Sequence, residues 1–185
     1  MPTRYAARVW GISELPFQVF LTLAVLPFLV IGVAYAAKWF AHPAAARAEL
    51  GHPIGMAFVP TLTIAILILA TAVSELTPTL ASVLWWIGAV GHLAATVAVL
   101  SAWFARADIG TAQVTPAWFI PIVGNVITPL AAPAVGSVDF AWFAFGVGVT
   151  FWVGLLPLLL QRVLTHDQPL PPRLLPTIAI FIASR

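Results

Sequence analysis

Cysteine is absent from this sequence, and charged residues are scarce. Only 8% of the 185 residues are Asp, Glu, Lys or Arg, whereas a soluble domain has about 25%. Without cysteine, disulfide bonds, thiolate metal sites and cysteine nucleophiles are excluded. The eight Lys and Arg residues form no cluster, which argues against nucleic acid as a partner.

The sequence is instead rich in apolar residues. They make up 62% of the chain, and the mean hydropathy is +1.04, which indicates a multi-pass protein of the cell (inner or plasma) membrane. Residues 1–14 have no compact apolar core and no small-residue cleavage site, so we expect no removable leader. We interpret 1–14 as a juxtamembrane segment and 15–185 as a partial transmembrane domain.

Five apolar stretches are long enough to cross a bilayer, because a spanning helix needs about 20 residues. A sixth stretch of about 13 residues covers only about 20 Å at 1.5 Å per residue. The sequence therefore predicts that the chain stops inside a helix. The six stretches are span A (15–37), span B (54–73), span C (80–104), span D (116–133), span E (138–164) and the partial span F (173–185).

Proline divides these spans into two kinds. Span C contains none, and spans A and E contain one interior proline each, whereas spans B, D and F open just after a proline and carry another inside. The alternation predicts an all-α membrane fold of helical hairpins, with the proline-kinked helices in a ring around an axis. The prolines of the broken class are Pro53 and Pro60, Pro116 and Pro121, and Pro172 and Pro176; those inside A and E are Pro27 and Pro157.

Basic residues predict the orientation. Loops A–B, C–D and E–F carry them at or near the helix ends, whereas loops B–C and D–E carry none, so the first three loops are expected in the cytoplasm. Arg4 and Arg8 would then lie outside, which favours a further helix before residue 1. The cytoplasmic set is Lys38, Arg47, Arg106, Arg162 and Arg173.

Span D raises a question about its backbone, because "TPAWFIPIVGNVITPLAAP" at 115–133 contains four prolines. Each interior proline removes the donor for the carbonyl four residues earlier, which predicts free carbonyls at Ala117, Asn125 and Pro129. Such carbonyls are tolerated only inside protein or beside a water-filled cavity. Spans B and D are therefore expected inside the bundle. Whether Asn125 serves helix packing or faces a pore stays open.

Three segments carry the most specific patterns: "ELGHPIGMAFVPTLTI" (49–64), "TPAWFIPIVGNVITPLAA" (115–132) and "LLLQRVLTHDQPLPPRLLPTIAIFIAS" (158–184). In the same order they resemble segments of the tellurite-resistance/dicarboxylate transporter family, which includes the slow-type anion channels of guard cells. The resemblance implies about ten helices in five hairpins, with proline-kinked inner helices lining a central pore. It also implies a homotrimer in which each subunit has its own pore. Span A resembles the second family helix and span F the seventh, so the phenylalanine gate on a later helix has no counterpart here.

Residues for catalysis are few. His92 lies within span C with no carboxylate or second histidine at i±3 or i±4, so no metal or acid–base set is indicated, and we expect a packed, hydrogen-bonded histidine. No cofactor is expected and the protein is not interpreted as an enzyme. A hydrolase would require Ser74, Ser82 or Ser101 within hydrogen-bond reach of His92. Because the acidic residues lie in or next to loops, no buried proton-relay carboxylate is indicated.

Three functions remain open. The first is an anion channel for chloride or nitrate, embedded in the lipid bilayer. The second is a carrier of C4-dicarboxylates or of an oxyanion such as tellurite, and the third is a truncated fragment that transports nothing. The pore-lining candidates, chosen for their position on the broken helices, are Phe58, Pro60, Thr61, Phe119, Pro121, Asn125, Thr128 and Pro129.

Overall fold

A computed structural model describes residues 9, 11, 13–106, 115–135 and 137–165. Within these ranges every regular element is helical, as the composition predicted. The helices are α1 (Leu15–Ala41), α2 (Pro43–Gly51), α3 (Pro53–Phe58), α4 (Thr61–Val73), α5 (Pro78–Phe104), a 3-10 turn (Pro116–Phe119), α6 (Ile120–Ile127), a second 3-10 turn (Thr128–Leu130), α7 (Ala132–Val135) and α8 (Val138–Thr165).

The predicted smooth spans form long helices. α1, α5 and α8 have 27, 27 and 28 residues, enough at 1.5 Å per residue to cross a bilayer. Pro27 and Pro157 lie inside continuous helices, so A and E belong to the smooth class as expected. The partial span 173–185 lies outside the described residues.

The predicted broken spans are interrupted where their prolines stand. Span B divides at Val59 and Pro60 into α3 and α4, and we call this division break 1. Span D divides into four short helical pieces between Pro116 and Val135, which we call the broken segment. Proline thus separates two kinds of apolar helix that have similar hydropathy.

Glycine brings the central helices into close contact. A Cβ added to Gly88 of α5 would lie 2.9 Å from Cγ of Leu67 on α4. One added to Gly148 of α8 would lie 2.8 Å from Cγ2 of Val126 on α6. Because lipid provides little hydrophobic drive between helices, membrane bundles depend on such close packing. The order across the bundle is therefore α4, α5, α6 and α8.

The two ends of this bundle have separate apolar cores. One joins α4, α5, α7 and α8 around Trp85, which is fully buried. The other joins α3, α5 and the start of the broken segment, where the rings of Trp103 and Trp118 stack 4.2 Å apart. Helix α1 lies at the edge, and Phe17 is its one buried residue.

The ends of α2 and α5 lie on the same side of the bundle. Nη1 of Arg106, just after α5, donates to the carbonyl of Gly51, the last residue of α2, at 2.7 Å. This contact brings loop A–B next to loop C–D, as the alternation of hairpins requires. Which side of the membrane they occupy stays a prediction from the basic residues.

Candidate functional site

The backbone at break 1 is hydrogen-bonded largely by residues three or four positions away in the sequence. The hydroxyl of Thr61 donates to the carbonyl of Phe58. The hydroxyl of Thr63 lies 2.7 Å from the carbonyl of Pro60, which also accepts the Ile64 amide at 3.0 Å. Threonine hydroxyls commonly bond carbonyls three or four residues back. The interruption of the helix therefore leaves few polar groups for other helices to satisfy.

The broken segment also recovers some bonds locally, and here the expectation of free carbonyls was wrong for two of the three residues named from the sequence. The carbonyls of Ala117 and Pro129 were expected to be free, but they accept from the amides of Ile120 and Ala131. The reason is that the chain tightens at both places, so a donor three residues on reaches the Ala117 carbonyl, as in a 3-10 turn, and a donor two residues on reaches the Pro129 carbonyl.

Other carbonyls of the broken segment are bonded by side chains from α5. The Pro121 carbonyl accepts hydrogen bonds from Nε2 of His92 at 2.9 Å and from the hydroxyl of Thr96 at 2.5 Å. The Thr128 carbonyl receives Nε1 of Trp85 at 2.9 Å. All three donors are at least 99% buried. Helix α5 thus provides polar groups along the broken segment at the depth where lipid provides none.

His92 is packed and hydrogen-bonded, as the sequence predicted. Its side chain is fully buried, Nδ1 lies 2.8 Å from the Thr63 hydroxyl, and Nε2 bonds Pro121. Both ring nitrogens are therefore engaged by groups other than the three serines that a hydrolase would require. Ser74 instead donates to the carbonyl of Thr71.

Gly124 makes the approach of His92 possible. A Cβ at Gly124 would lie 2.2 Å from Cε1 of His92, closer than any real contact. The ring therefore packs directly on the backbone of α6. This explains in physical terms why a glycine precedes Asn125 in the middle of an apolar helix.

Asn125 faces α5 and is fully buried. Its Nδ2 donates to the hydroxyl of Thr96 at 2.8 Å and to the carbonyl of Pro121 at 3.3 Å. Its Oδ1 has no donor within the described part of the chain. Both amide hydrogens are directed to protein acceptors, which are the contacts that the packing interpretation describes.

The eight pore-lining candidates divide between two surroundings. Phe58, which is 41% exposed, and Thr61 border an open groove. The other six are buried or half-buried in the bundle around the broken segment and break 1: Pro60, Phe119, Pro121, Asn125, Thr128 and Pro129.

The groove lies between α1 and the helices on either side of break 1. It has a volume of about 630 Å³ and a mainly apolar lining. Its polar end is near Tyr35 and Glu49, where the carboxylate of Glu49 is paired with Lys38. Phe58 and Thr61 are thus the candidates with direct access to space outside the packed core.

We call the buried or half-buried hydrogen-bonded residues between α5 and the two interrupted helices the node; they are Thr63, Trp85, His92, Thr96, Pro121, Asn125 and Thr128. Three of them were missed from the sequence: Thr63, Thr96 and Trp85. One signal was available, because Thr96 is four residues after His92 and so shares its helix face. Trp85 and Thr63 have ordinary alternative explanations, as an interfacial anchor and as a helix-bonded hydroxyl. Their partners are on other helices, 43 and 29 residues away.

Comparison with known proteins adds the family. The family described as "SLAC1: Voltage-dependent anion channel" matches residues 3–184. The chain belongs to this family. As a member of this family it is a multi-pass membrane protein, and the family is described as one of voltage-dependent anion channels. The resemblance seen in the three proline-containing segments is thereby confirmed.

Individual relatives cover the chain almost completely. An uncharacterized transporter of Methanocaldococcus jannaschii is 28% identical over 84% of this chain and 48% of its own length. A tellurite resistance protein TehA homolog of Haemophilus influenzae is 25% identical over 86% of this chain and 48% of its own length. The S-type anion channel SLAH2 of Arabidopsis thaliana is 25% identical over 100% of this chain and 36% of its own length. The chain thus spans half or less of the length of these relatives.

Proposed function

We propose that the protein is an anion channel in which break 1 and the broken segment form part of the wall of a pore. The observation that carries this proposal is the bonding of interrupted backbone by buried side chains of α5. Irregular backbone at membrane depth is found where it is enclosed by protein or lines an aqueous cavity. The side of break 1 that borders the open groove, at Phe58 and Thr61, is then the side available to a lumen.

The charges of these helices support anions over cations. Residues 53–73 and 116–135 contain no Asp, Glu, Lys or Arg. Cation-selective pores commonly carry rings of carboxylates, and such rings would have no source here. Arg106 lies just after α5, beside the end of α2, and would attract anions to an entrance at this end of the bundle.

The proposed roles of the eight candidates follow their burial. Phe58 and Thr61, which border the groove, are proposed to contact permeating ions or the helices that complete the pore. Pro121, Asn125 and Thr128 are proposed to shape the wall from behind, through their bonds within the bundle. Pro60, Phe119 and Pro129 are proposed to set the direction of the chain at the interruptions.

A carrier is the second candidate, favoured by the similarity to a tellurite resistance protein homolog. Its substrate would be an oxyanion or a C4-dicarboxylate. The assembly proposed for either function is a homotrimer with one pore in each subunit. This proposal rests on the family resemblance, because the structure contains a single chain.

The decisive experiment measures ion permeation directly. The protein encoded by the complete reading frame that contains these residues would be purified and reconstituted into planar bilayers with asymmetric KCl. A channel of the proposed kind gives a reversal potential close to the chloride equilibrium potential and single-channel steps. The 185-residue chain, measured in parallel, is expected to conduct nothing selective, because it spans half or less of the length of the relatives it matches.

Other results would contradict the channel proposal. A reversal potential near that of potassium would show a cation pathway. Saturable flux without single-channel steps, driven by a pH gradient and exchanged by added malate or tellurite, would establish the carrier. Absence of both conductance and flux in the complete protein would leave the non-transporting interpretation.

A further inference from the structure

The node around His92 joins the two interrupted helices to each other as well as to α5. Thr63 belongs to α4, three residues after Pro60. Pro121 belongs to the first turn of α6. The His92 ring lies between them, with Nδ1 at 2.8 Å from Oγ1 of Thr63 and Nε2 at 2.9 Å from the carbonyl oxygen of Pro121. One imidazole therefore spans the distance between break 1 and the broken segment.

The hydrogen-bond partners determine the tautomer of this ring. A carbonyl oxygen only accepts, so Nε2 of His92 must carry a hydrogen and donate it to Pro121. The Thr63 hydroxyl has one hydrogen and two acceptors within reach, Nδ1 of His92 at 2.8 Å and the Pro60 carbonyl at 2.7 Å. When it donates to His92, the ring is neutral.

The surroundings favour this neutral form. α4, α5 and α6 contain no Asp, Glu, Lys or Arg, and α8 carries only Asp139 and Arg162, which lie near its two ends. A charged imidazole between α4, α5 and α6 would have no counter-ion on any of them, and an unpaired buried charge is costly. The Pro60 carbonyl meanwhile keeps the Ile64 amide as a donor at 3.0 Å.

We infer that His92 is a positioning residue for the pore, which as the neutral Nε2–H tautomer holds break 1 and the broken segment in one relative placement. The imidazole suits this task because the bonding directions of its two nitrogens diverge from a rigid ring. Gly124 lets that ring pack against the backbone of α6, so the ring has little freedom to turn. The inference rests on the proposed pore function for its consequence, whereas the tautomer and the linkage are properties of the fold.

The first test is spectroscopic and requires no transport. The 185-residue chain is prepared with 15N-labelled histidine and with His42, His52 and His166 replaced by glutamine. Its 15N NMR spectrum then contains one pair of imidazole nitrogen signals, those of Nδ1 and Nε2 of His92. At neutral pH it should show the neutral Nε2–H tautomer. In Thr63→Val the Nδ1 signal should shift because its donor is gone. Thr71→Val is the matched control, since the Thr71 hydroxyl bonds only the Leu67 carbonyl of its own helix, and it should leave the signal unchanged.

The second test measures the pore. Thr63→Val should change the chloride-to-nitrate permeability ratio or the unitary conductance by up to about threefold, because the loss of one interhelical hydrogen bond shifts the equilibrium between placements of the two interrupted helices by about that factor. Thr63→Ser restores the hydroxyl and should restore the wild-type value, and Thr71→Val should match wild type. Equal folding of all variants is checked by size-exclusion chromatography and melting temperature.

Each failure has a distinct meaning. An imidazolium or an Nδ1–H tautomer at neutral pH overturns the inference, as does an Nδ1 signal that is indifferent to Thr63→Val. A conducting wild type whose Thr63→Val variant behaves like Thr71→Val also overturns it. A wild type that does not conduct, with the expected tautomer and shift, contradicts the proposed function and leaves the linkage by His92 supported.

Discussion

Break 1 and the broken segment are both interruptions of an apolar helix at proline, but they satisfy their backbone in different ways. At break 1, the hydroxyl of Thr61 reaches back to the Phe58 carbonyl and the Ile64 amide bonds the Pro60 carbonyl, while one hydroxyl, that of Thr63, bonds Nδ1 of His92 on α5. At the broken segment, His92, Thr96 and Trp85 reach across from α5. The first interruption is thus mainly local, and the second is largely tertiary.

The difference teaches where the bundle is sensitive. A local bond survives small shifts of neighbouring helices, because donor and acceptor move together. A bond between helices requires both helices to stay in register, so it both stabilises and specifies their packing. We therefore expect substitutions at the broken segment to cost more than equivalent substitutions at break 1.

The largest effect is expected for Gly124→Ala, which would place a methyl group 2.2 Å from the His92 ring. Overpacking of this kind costs about 1–3 kcal/mol, and we expect a lower melting temperature in detergent and a weakened node. Gly146→Ala on α8 is the control, because its Cβ would meet nothing within 4 Å. Equal melting temperatures for the two variants would show that the ring does not pack on α6.

Trp85→Phe should have the next largest effect. It removes the donor to the Thr128 carbonyl and keeps an aromatic ring in the core, so we expect a loss of about 1–2 kcal/mol, measured as resistance to denaturation in bicelles. Trp86→Phe is the comparison, since Trp86 is 42% exposed, and should change stability little. If both substitutions cost the same, the bond to Thr128 does not contribute.

Asn125→Leu removes both amide donors from the node. Because Asn125 is proposed to support the pore wall without contacting ions, its replacement should lower the free energy of unfolding by about 0.6–2 kcal/mol. The ion permeability ratio should stay nearly unchanged. Melting temperature and reversal potential measured on the same preparation test this. A changed permeability ratio at wild-type stability would instead place the Asn125 side chain in contact with permeating ions.

The smallest effect is expected at break 1. Thr61→Val removes an exposed hydroxyl that bonds a carbonyl three residues back, and we expect a loss below about 0.5 kcal/mol, within the range of ordinary surface changes. The measurement is the free energy of unfolding of Thr61→Val by chemical denaturation, compared with that of Trp85→Phe under the same conditions. A loss at break 1 as large as that at the broken segment would remove the distinction between local and tertiary interruptions.

Much of the fold was predictable because membranes restrict it. A stretch of about 20 apolar residues must form a helix in lipid, and the predicted spans A, C and E start within two residues of α1, α5 and α8. The interruptions at Pro60 and Pro121 were predictable because proline lacks an amide hydrogen. The donors to Pro121 and Thr128 were not, since no pattern in the sequence relates Trp85, His92 and Thr96 to partners on another helix.

The sequence by itself determined that the chain crosses a membrane, which of its helices are smooth and where the others break, because hydropathy and the missing amide of proline act over a few neighbouring residues. The tertiary structure decided which buried groups meet. It turned Asn125 towards Thr96, placed His92 between Thr63 and Pro121, and left Phe58 beside an open groove. Those outcomes depend on the register and rotation of helices against one another, which close packing at glycine determines and no local pattern encodes.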